Sequence, residues 1–453
     1  MKKLMAMLLV LTLLCAMVAC GTQTLPVKDP VKDITAEEET VEAPAEIPEE
    51  ETHEPVTIEA YIVQNDWLDA WDEMEARFEE QYPWINVESV GVGEENTTFI
   101  STRNAANDLP DVIQIDNNAF WQTLVDENKV ADLTGRDVCQ YIPKSYLDSF
   151  TYNGKLIGIT QGAAFSVMYF NMKILNEAGW EAPPANWTEF VQCCTDVRAA
   201  GYVPLALSGS YVVGIYMPME LIVANTVGET LGQGVYEEQF RNGTFDFTAY
   251  PELAEKWDAL LPYVLTGSAG TSQDDLITVM ADGGAAMCLG GNWVASSMLD
   301  AIATAAGEES LAAAALPPFQ EEGKPCWISA SPETGFGMTV DADRSAAEQE
   351  AVELFFDWLF LPENFMLIQN ARGTVPVLSS MTEAHIQLPA SVAELLTEMN
   401  AAPYVKMGFN IWTAVYSDNI CTALCESLTG GLTGQQVVEL MWETEQNSYF
   451  NQK

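Results

Sequence analysis

The region from Val56 to Asp116 alternates between two hydrophobic periodicities, and this alternation constrains the fold more than any other feature. Apolar residues first occupy every second position, which is typical of a strand with one buried face. A helical stripe, a second strand, a helix over residues 96–107 and a third strand follow. The stripe consists of Trp67, Trp71, Met74, Phe78 and Tyr82. This order predicts an α/β fold with a parallel sheet flanked by helices.

The predicted ends of two of these strands are polar. In a parallel α/β sheet, ligands collect beyond the carboxyl ends of the strands. The first strand is followed by Asn65, Asp66 and Trp67, and the third by Asp116 and Asn118. We therefore expect these five residues to contact a ligand. The alternatives are that the carboxylates cap the following helices and that nearby Trp121 belongs to the core.

The length and charge of the chain limit its organisation and its partners. Its 453 residues are too many for one hydrophobic core, so two lobes or domains are expected. The formal net charge is −47. A surface this acidic repels nucleic acid and phosphorylated ligands, and it tolerates neutral or cationic ones.

The histidine and cysteine content argues against common catalytic and metal chemistry. With only His53 and His385, the chain offers no multi-histidine zinc site, and His385 has no nucleophile motif near it. Seven cysteines lie beyond the leader, an odd number without the paired spacing of a disulfide framework. We therefore expect no metal and no cofactor.

Residues 1–20 have the features of a lipoprotein signal peptide. Lys2 and Lys3 precede an apolar run, and Met17-Val18-Ala19-Cys20 resembles the bacterial lipobox, in which the cysteine is lipidated. The alternative is an ordinary signal peptide with an incidental cysteine. Residues 21–55 are acidic and proline-rich, with eleven acids against two lysines, which predicts a disordered tether. The resulting expectation is an extracytoplasmic protein, anchored by lipid to the outer face of the cell membrane.

The stretch from Gly283 to Trp293 predicts a short strand between two glycine pairs, followed by an amide and an indole. Trp293 offers a flat apolar face on which a ring can stack, and an N–H that can donate a hydrogen bond. The alternative is that Trp293 ends a core strand and is buried.

Several motifs together resemble the extracellular solute-binding proteins of bacterial ABC importers, in the carbohydrate-binding branch that includes maltose-binding protein. The resemblance runs from about Val56 to the C-terminus. It is carried by the order of the motifs, since each one is loose alone. They are Leu109-Pro110-Asp111-Val112, Tyr169-Phe170-Asn171, Ala178-Gly179, Pro183-Pro184, Trp187-Thr188-Glu189-Phe190, Gly283–Trp293, Gly373-Thr374-Val375-Pro376 and Leu432–Gln436.

The resemblance implies a two-lobed, periplasmic-binding-protein-like fold, each lobe a mostly parallel sheet flanked by helices. The N-terminal lobe would comprise residues 56–163 and 314–372, and the C-terminal lobe residues 164–313 and 373–453. Hinge crossovers would lie near residues 162–166, 311–316 and 371–376, and the lobes would close on the ligand. Trp293 and Trp412 match positions whose indoles stack on sugars in this family. Further expected ligand contacts are Gln161, Glu333 and Arg372, although the last two can equally be solvated charges.

The function implied by the resemblance is capture of a neutral mono- or oligosaccharide by a monomeric protein. Delivery to the membrane subunits of an ABC permease would follow, without any bond chemistry. A second hypothesis is that the same scaffold binds a polyamine or another cation, which carboxylates such as Asp66 and Asp116 would permit. A third is a secreted glycosidase that uses two carboxylates.

Overall fold

The computed structural model describes residues 53–62, 68–91, 96–232, 234–372, 378, 394–395, 398–399, 401–408 and 411–450. The strands are β1 (Val56–Tyr61), β2 (Ile85–Val90), β3 (Val112–Ile115), β4 (Thr151–Tyr152), β5 (Lys155–Leu156), β6 (Ile159–Thr160), β7 (Ala163–Asn171), β8 (Leu205–Ala206), β9 (Met287–Gly291), β10 (Ala312–Ala315), β11 (Ile328–Pro332), β12 (Gly335–Met338) and β13 (Tyr404–Lys406).

Helices cover much of the remaining chain. They are α1 (Leu68–Gln81), α2 (Asn96–Ala106), α3 (Ala119–Asp126), α4 (Lys144–Ser149), α5 (Met172–Glu177), α6 (Trp187–Ala199), α7 (Val212–Leu231), α8 (Val235–Arg241), α9 (Pro251–Leu260), α10 (Gln273–Ala281), α11 (Ala295–Ala306), α12 (Ala346–Leu359), α13 (Pro362–Arg372), α14 (Ala414–Leu428) and α15 (Gly434–Phe450). None of these described helices has the length and apolarity needed to cross a membrane.

The first lobe is built on a five-stranded sheet with the order β2-β1-β3-β12-β6. The predicted strand–helix pattern is confirmed: β1 pairs in parallel with both β2 and β3, and α1 and α2 connect them. Helix α1 buries Trp71, Met74 and Phe78 of the predicted stripe. Helix α12 packs on the same core through Phe355, whose ring centroid lies 4.9 Å from that of Phe78.

The second lobe is built on a six-stranded sheet with the order β13-β11-β7-β9-β8, and β10 also pairs with β7. Its central helix is α7, most of whose residues are buried, as expected for a helix that is apolar around its circumference. Gly228 of α7 lies directly against the indole of Trp327. A Cβ at this position would stand 2.4 Å from Cδ2 of that ring, so only glycine allows this close packing.

One strand in each sheet runs opposite to the others. In the first sheet this strand is β12, and in the second it is β7. Each of them comes directly after the chain has crossed from the other sheet, at residues 161–162 and 333–334. The neighbouring strands end at the edge of the sheet that faces the opposite lobe. A strand that arrives from that lobe starts at this same edge, so it runs antiparallel to its neighbours.

The second crossover differs from the one expected near residues 311–316. The strand at Ala312–Ala315 was expected to return to the first lobe, but it pairs with β7 of the second sheet. The reason is the length of β7. One edge of this nine-residue strand is shared between β11 and β10, which pair with its two ends. The chain returns to the first sheet only after Pro332, so residues 314–332 were assigned to the wrong lobe.

The other expected segment boundaries fall only partly within the described residues. Residues 373–376 of the third crossover lie outside the described residues, as do the leader and residues 21–52 of the tether. The seven cysteines beyond the leader are free thiols. Burial raises the pKa of Cys193 to about 12, which makes this thiol a poor nucleophile at neutral pH.

Candidate functional site

A cavity of about 430 Å³ lies between the two sheets, with walls from both lobes. This volume is in the range of small-molecule binding sites. The first lobe contributes Asn117, Asn118, Gln122, Asp148, Thr151 and Tyr152, among others. The second lobe contributes Arg241, Ser331, Pro332, Lys406, Trp412 and Thr413.

A second cavity of about 250 Å³ continues the first along the cleft. The two share Ser149, Ser331, Pro332 and Lys406 as lining residues. The second cavity extends towards Ala163 at the start of β7, beside the first crossover. The cleft therefore offers an elongated space that begins close to the hinge.

The first-lobe wall is held by amide side chains that follow β3. The Asn118 Oδ1 accepts hydrogen bonds from the backbone N–H groups of Phe120 and Trp121, which caps α3. The Asn117 Nδ2 donates to the backbone oxygen of Ser149 at 2.7 Å, and Gln122 donates to the Asn117 Oδ1 at 3.1 Å. These bonds fix the wall, on which Asn118 and Gln122 line the cavity.

Trp412 is the predicted indole that the structure places on this cavity. Its side chain is only 8% exposed, and its ring lies against Gly408, whose hypothetical Cβ would stand 2.6 Å from Cε2 of the indole. Tyr216 and Tyr416 pack against it with ring centroids 4.5 and 4.9 Å away. The ring is thus held rigidly by the core of the second lobe and presents only a small part of its surface to the cavity.

Trp293 lies elsewhere. It follows β9, packs over Gly291 and is partly buried, and its indole N–H donates to Gln273 Oε1 at 2.8 Å. It is not among the described residues that line either cavity. The two indoles therefore do not share either of the cavities described here, and a stacking role for Trp293 stays a prediction.

Gln161 and Glu333 are buried at the crossovers, with 0% and 4% of their surface exposed. The backbone N–H of Gln161 donates to Thr334, and that of Glu333 donates to Gly162, at 3.2 and 2.9 Å. These bonds tie the two crossing segments together. Neither residue is among the described lining residues, so a ligand contact by either one stays a prediction.

Asp116 follows β3 and lies beside the crossover at residues 333–334. Burial raises the pKa of its carboxyl to about 6, and a hydrogen bond from the Thr334 side chain partly opposes that rise. The remaining predictions cannot be placed, because Asn65, Asp66, Trp67 and Cys20 lie outside the described residues. For Arg372 only the backbone is described, at the end of α13.

Arg241 and Lys406 are cleft residues that the sequence analysis did not identify. Arg241 ends α8 and Lys406 ends β13, so 165 positions separate them in sequence, and only the fold brings them to one cavity. Burial and the positive charge of Arg241 lower the pKa of Lys406, while the negative charge of Glu237 opposes this. Neither motif nor periodicity in the sequence marks these two residues.

Comparison with known proteins agrees with this architecture. The sequence profile described as bacterial extracellular solute-binding protein matches residues 73–394. A multiple sugar-binding protein of Streptococcus mutans serotype c is 29% identical over 157 residues. That match covers 34% of this chain and only 37% of the relative's length.

Solved structures share the fold at low sequence identity. The solute-binding protein RafE in complex with raffinose has a TM-score of 0.72 and 18% identity, covering 87% of this chain and 100% of that one. A chitin oligosaccharide binding protein has a TM-score of 0.73 and 19% identity, with 87% and 99% covered. The two-lobed architecture and the match over most of the chain lead to one assignment: this protein belongs to the bacterial extracellular solute-binding protein family.

Proposed function

We propose that this chain is the substrate-binding component of an ABC importer, which captures a saccharide between its lobes and delivers it to a membrane permease. The observation that carries the proposal is the cavity whose walls come from both lobes. A ligand held there contacts both halves at once, so its binding energy favours the closed form. Similar proteins are described as a multiple sugar-binding protein, a solute-binding protein in complex with raffinose and a chitin oligosaccharide binding protein. These descriptions support a saccharide as the ligand.

The lining suits the chemistry of a saccharide. A sugar presents hydroxyl groups that both donate and accept, and a C–H face that packs against aromatic rings. Asn118, Gln122, Ser331 and Thr413 supply amides and hydroxyls, and Trp412 supplies an indole. Such a site binds and releases its ligand without making or breaking bonds.

The lining charges do not favour a polyamine or another cation. Asp148 is the one carboxylate among the described lining residues of the larger cavity, and it forms an ion pair with Lys144. Arg241 and Lys406 line the same space and would repel a cationic ligand.

Membrane attachment is part of the proposal. Lipidation of Cys20 would anchor the protein at the outer face of the membrane, and residues 21–55 would give the lobes reach. The acidic tether and surface would keep the lobes away from anionic lipid. The protein would act as a monomer beside its permease.

Isothermal titration against neutral and acidic oligosaccharides tests the proposal. We expect binding of at least one saccharide, and we expect Trp412→Ala to weaken it by about 2 kcal/mol or more, as for a buried aromatic anchor. Trp84→Ala is the matched control, because Trp84 stacks on His53 and lines neither described cavity. Circular dichroism establishes that each variant is folded. Absence of binding heat across the whole panel would refute the proposed function.

A further inference from the structure

The larger cavity holds two neighbouring cations in a chain dominated by acids. The chain has 66 Asp and Glu against 19 Lys and Arg, so a carboxylate is an available partner for many of its cations. Of the thirteen lysines and arginines whose side chains are described, seven are ion-paired to a described carboxylate within 4.0 Å and six are not. Arg241 and Lys406 have no such partner among the described residues, although both line the cleft.

Two acids near this pair, Glu237 and Asp148, offset its charge only in part. Glu237 is 5% exposed, and its Oε1 accepts a hydrogen bond from the backbone N–H of Lys406 at 2.7 Å, not from the ammonium group. Asp148, on the opposite wall, is engaged with Lys144. The two cations repel each other, and partial burial of Lys406 adds a desolvation cost. Such an arrangement is stabilised when an anion enters between the lobes.

The acidity of the whole surface does not prevent an anion from reaching this site. At physiological ionic strength, charges more than about 8 Å apart through solvent are largely screened. The charges that line the cavity therefore decide what binds there. A guanidinium forms two parallel hydrogen bonds with a carboxylate or a sulfate, and an ammonium group adds a point charge.

We propose that the saccharide captured in this cleft carries an anionic substituent, a carboxylate or a sulfate, which Arg241 and Lys406 bind from the second lobe. This inference rests on the proposed function and narrows its ligand class from the neutral saccharide expected from the sequence to an acidic one. The polar groups and Trp412 in the same cavity contact the sugar itself. An alternative is that both cations only donate to neutral hydroxyls, and the experiment separates the two.

The experiment titrates the folded protein with two matched pairs of ligands. One pair is an oligogalacturonate and the neutral galacto-oligosaccharide of the same linkage and length. The other is a sulfated disaccharide and its unsulfated form. We expect the acidic member of one pair to bind at least about tenfold more tightly than its neutral partner. The pair that shows the preference distinguishes a carboxylate from a sulfate.

Substitutions then locate the preference. Arg241→Gln and Lys406→Gln should each reduce the acidic-over-neutral ratio by about tenfold, because each weakens binding of the acidic ligand more than binding of its neutral partner. Lys173→Gln is the control, because it removes one charge from an exposed position of the second lobe that lines neither described cavity. Added salt should weaken binding of the acidic ligand to the wild type more than to the double variant.

The outcomes separate this inference from the proposed function. Tight binding of neutral saccharides with no preference for an acidic partner would overturn the inference and leave the proposed function standing. An acidic preference that survives loss of both cations would also overturn it. If no saccharide of either kind binds, the proposed function fails and the inference falls with it.

Discussion

Glu220 is a buried carboxyl whose titration should contribute to the pH dependence of stability. It lies in α7 beneath the second sheet with 3% of its surface exposed. The Ser329 hydroxyl donates to its Oε2, while Oε1 has no hydrogen-bond partner among the described residues. Burial raises the pKa of this carboxyl to about 8, and the hydrogen bonds from Ser329 and the Gly408 backbone only partly oppose the rise.

The size of the effect follows from proton linkage. The ordinary pKa is 4.5 and the folded value is about 8, so the folded protein holds a proton that the unfolded chain releases. The stabilisation from this proton is fully present below the unfolded pKa and is lost as pH rises through the folded pKa. The contribution of Glu220 to the free energy of unfolding should therefore fall by about 1.4 kcal/mol per pH unit across this window, about 5 kcal/mol in all.

Urea unfolding of the wild type and Glu220→Gln at several pH values between about 5 and 8 measures this contribution. Glutamine resembles the protonated acid, so the two proteins should be similarly stable near pH 5. Towards pH 8 the variant should become the more stable one, by up to about 4 kcal/mol. Glu229→Gln is the control, since Glu229 lies on the same helix in an exposed ion pair. Parallel pH profiles for wild type and Glu220→Gln would refute the reasoning.

Two other changes test the buried ion pair of the first lobe and the membrane anchor. The Arg344 side chain is 4% exposed and contacts Asp111 at 2.6 Å, so Arg344→Ala should lower the free energy of unfolding by about 3–5 kcal/mol. The same urea assay measures this, and a loss below about 1 kcal/mol, the range of an exposed pair, would contradict it. Cys20→Ser should abolish the lipid and move the protein from the membrane to the soluble fraction. Mass spectrometry and fractionation check this, and unchanged membrane retention would exclude the anchor.

The local features of the fold could be predicted because they depend on residues close in sequence. The α1 stripe, the helix over 96–107 and the strand at Val112 follow from hydrophobic period alone. Asn153-Gly154 is a pair that favours a hairpin turn, and it joins β4 to β5 with positive φ values of 50° and 79°. Gly179, at φ 91°, ends α5 as expected of a C-terminal cap.

The features that failed depend on distant segments. The alanines of β10 carry no information about which lobe they join. Strand β10 can pair with β7 because β11 covers only one end of that strand and leaves the rest of its edge unpaired. Arg241 and Lys406 likewise belong to segments with no binding motif, and only the placement of α8 beside β13 brings them together. A single sequence records the residue types but not this juxtaposition.

Polar residues at strand ends also serve the crossings between the lobes. Gln161 and Glu333 follow β6 and β11, where a ligand contact was expected, but there the chain passes between lobes. Backbone groups that leave a sheet inside the protein still need hydrogen-bond partners, and the two crossing segments supply them to each other. Because these bonds join both crossings, the segments are expected to rotate together when the lobes close. Polar residues at the end of a strand can therefore belong either to a crossing between the lobes or to a ligand site. The two cases are distinguished only by whether the following strand pairs in the same sheet or in the other one.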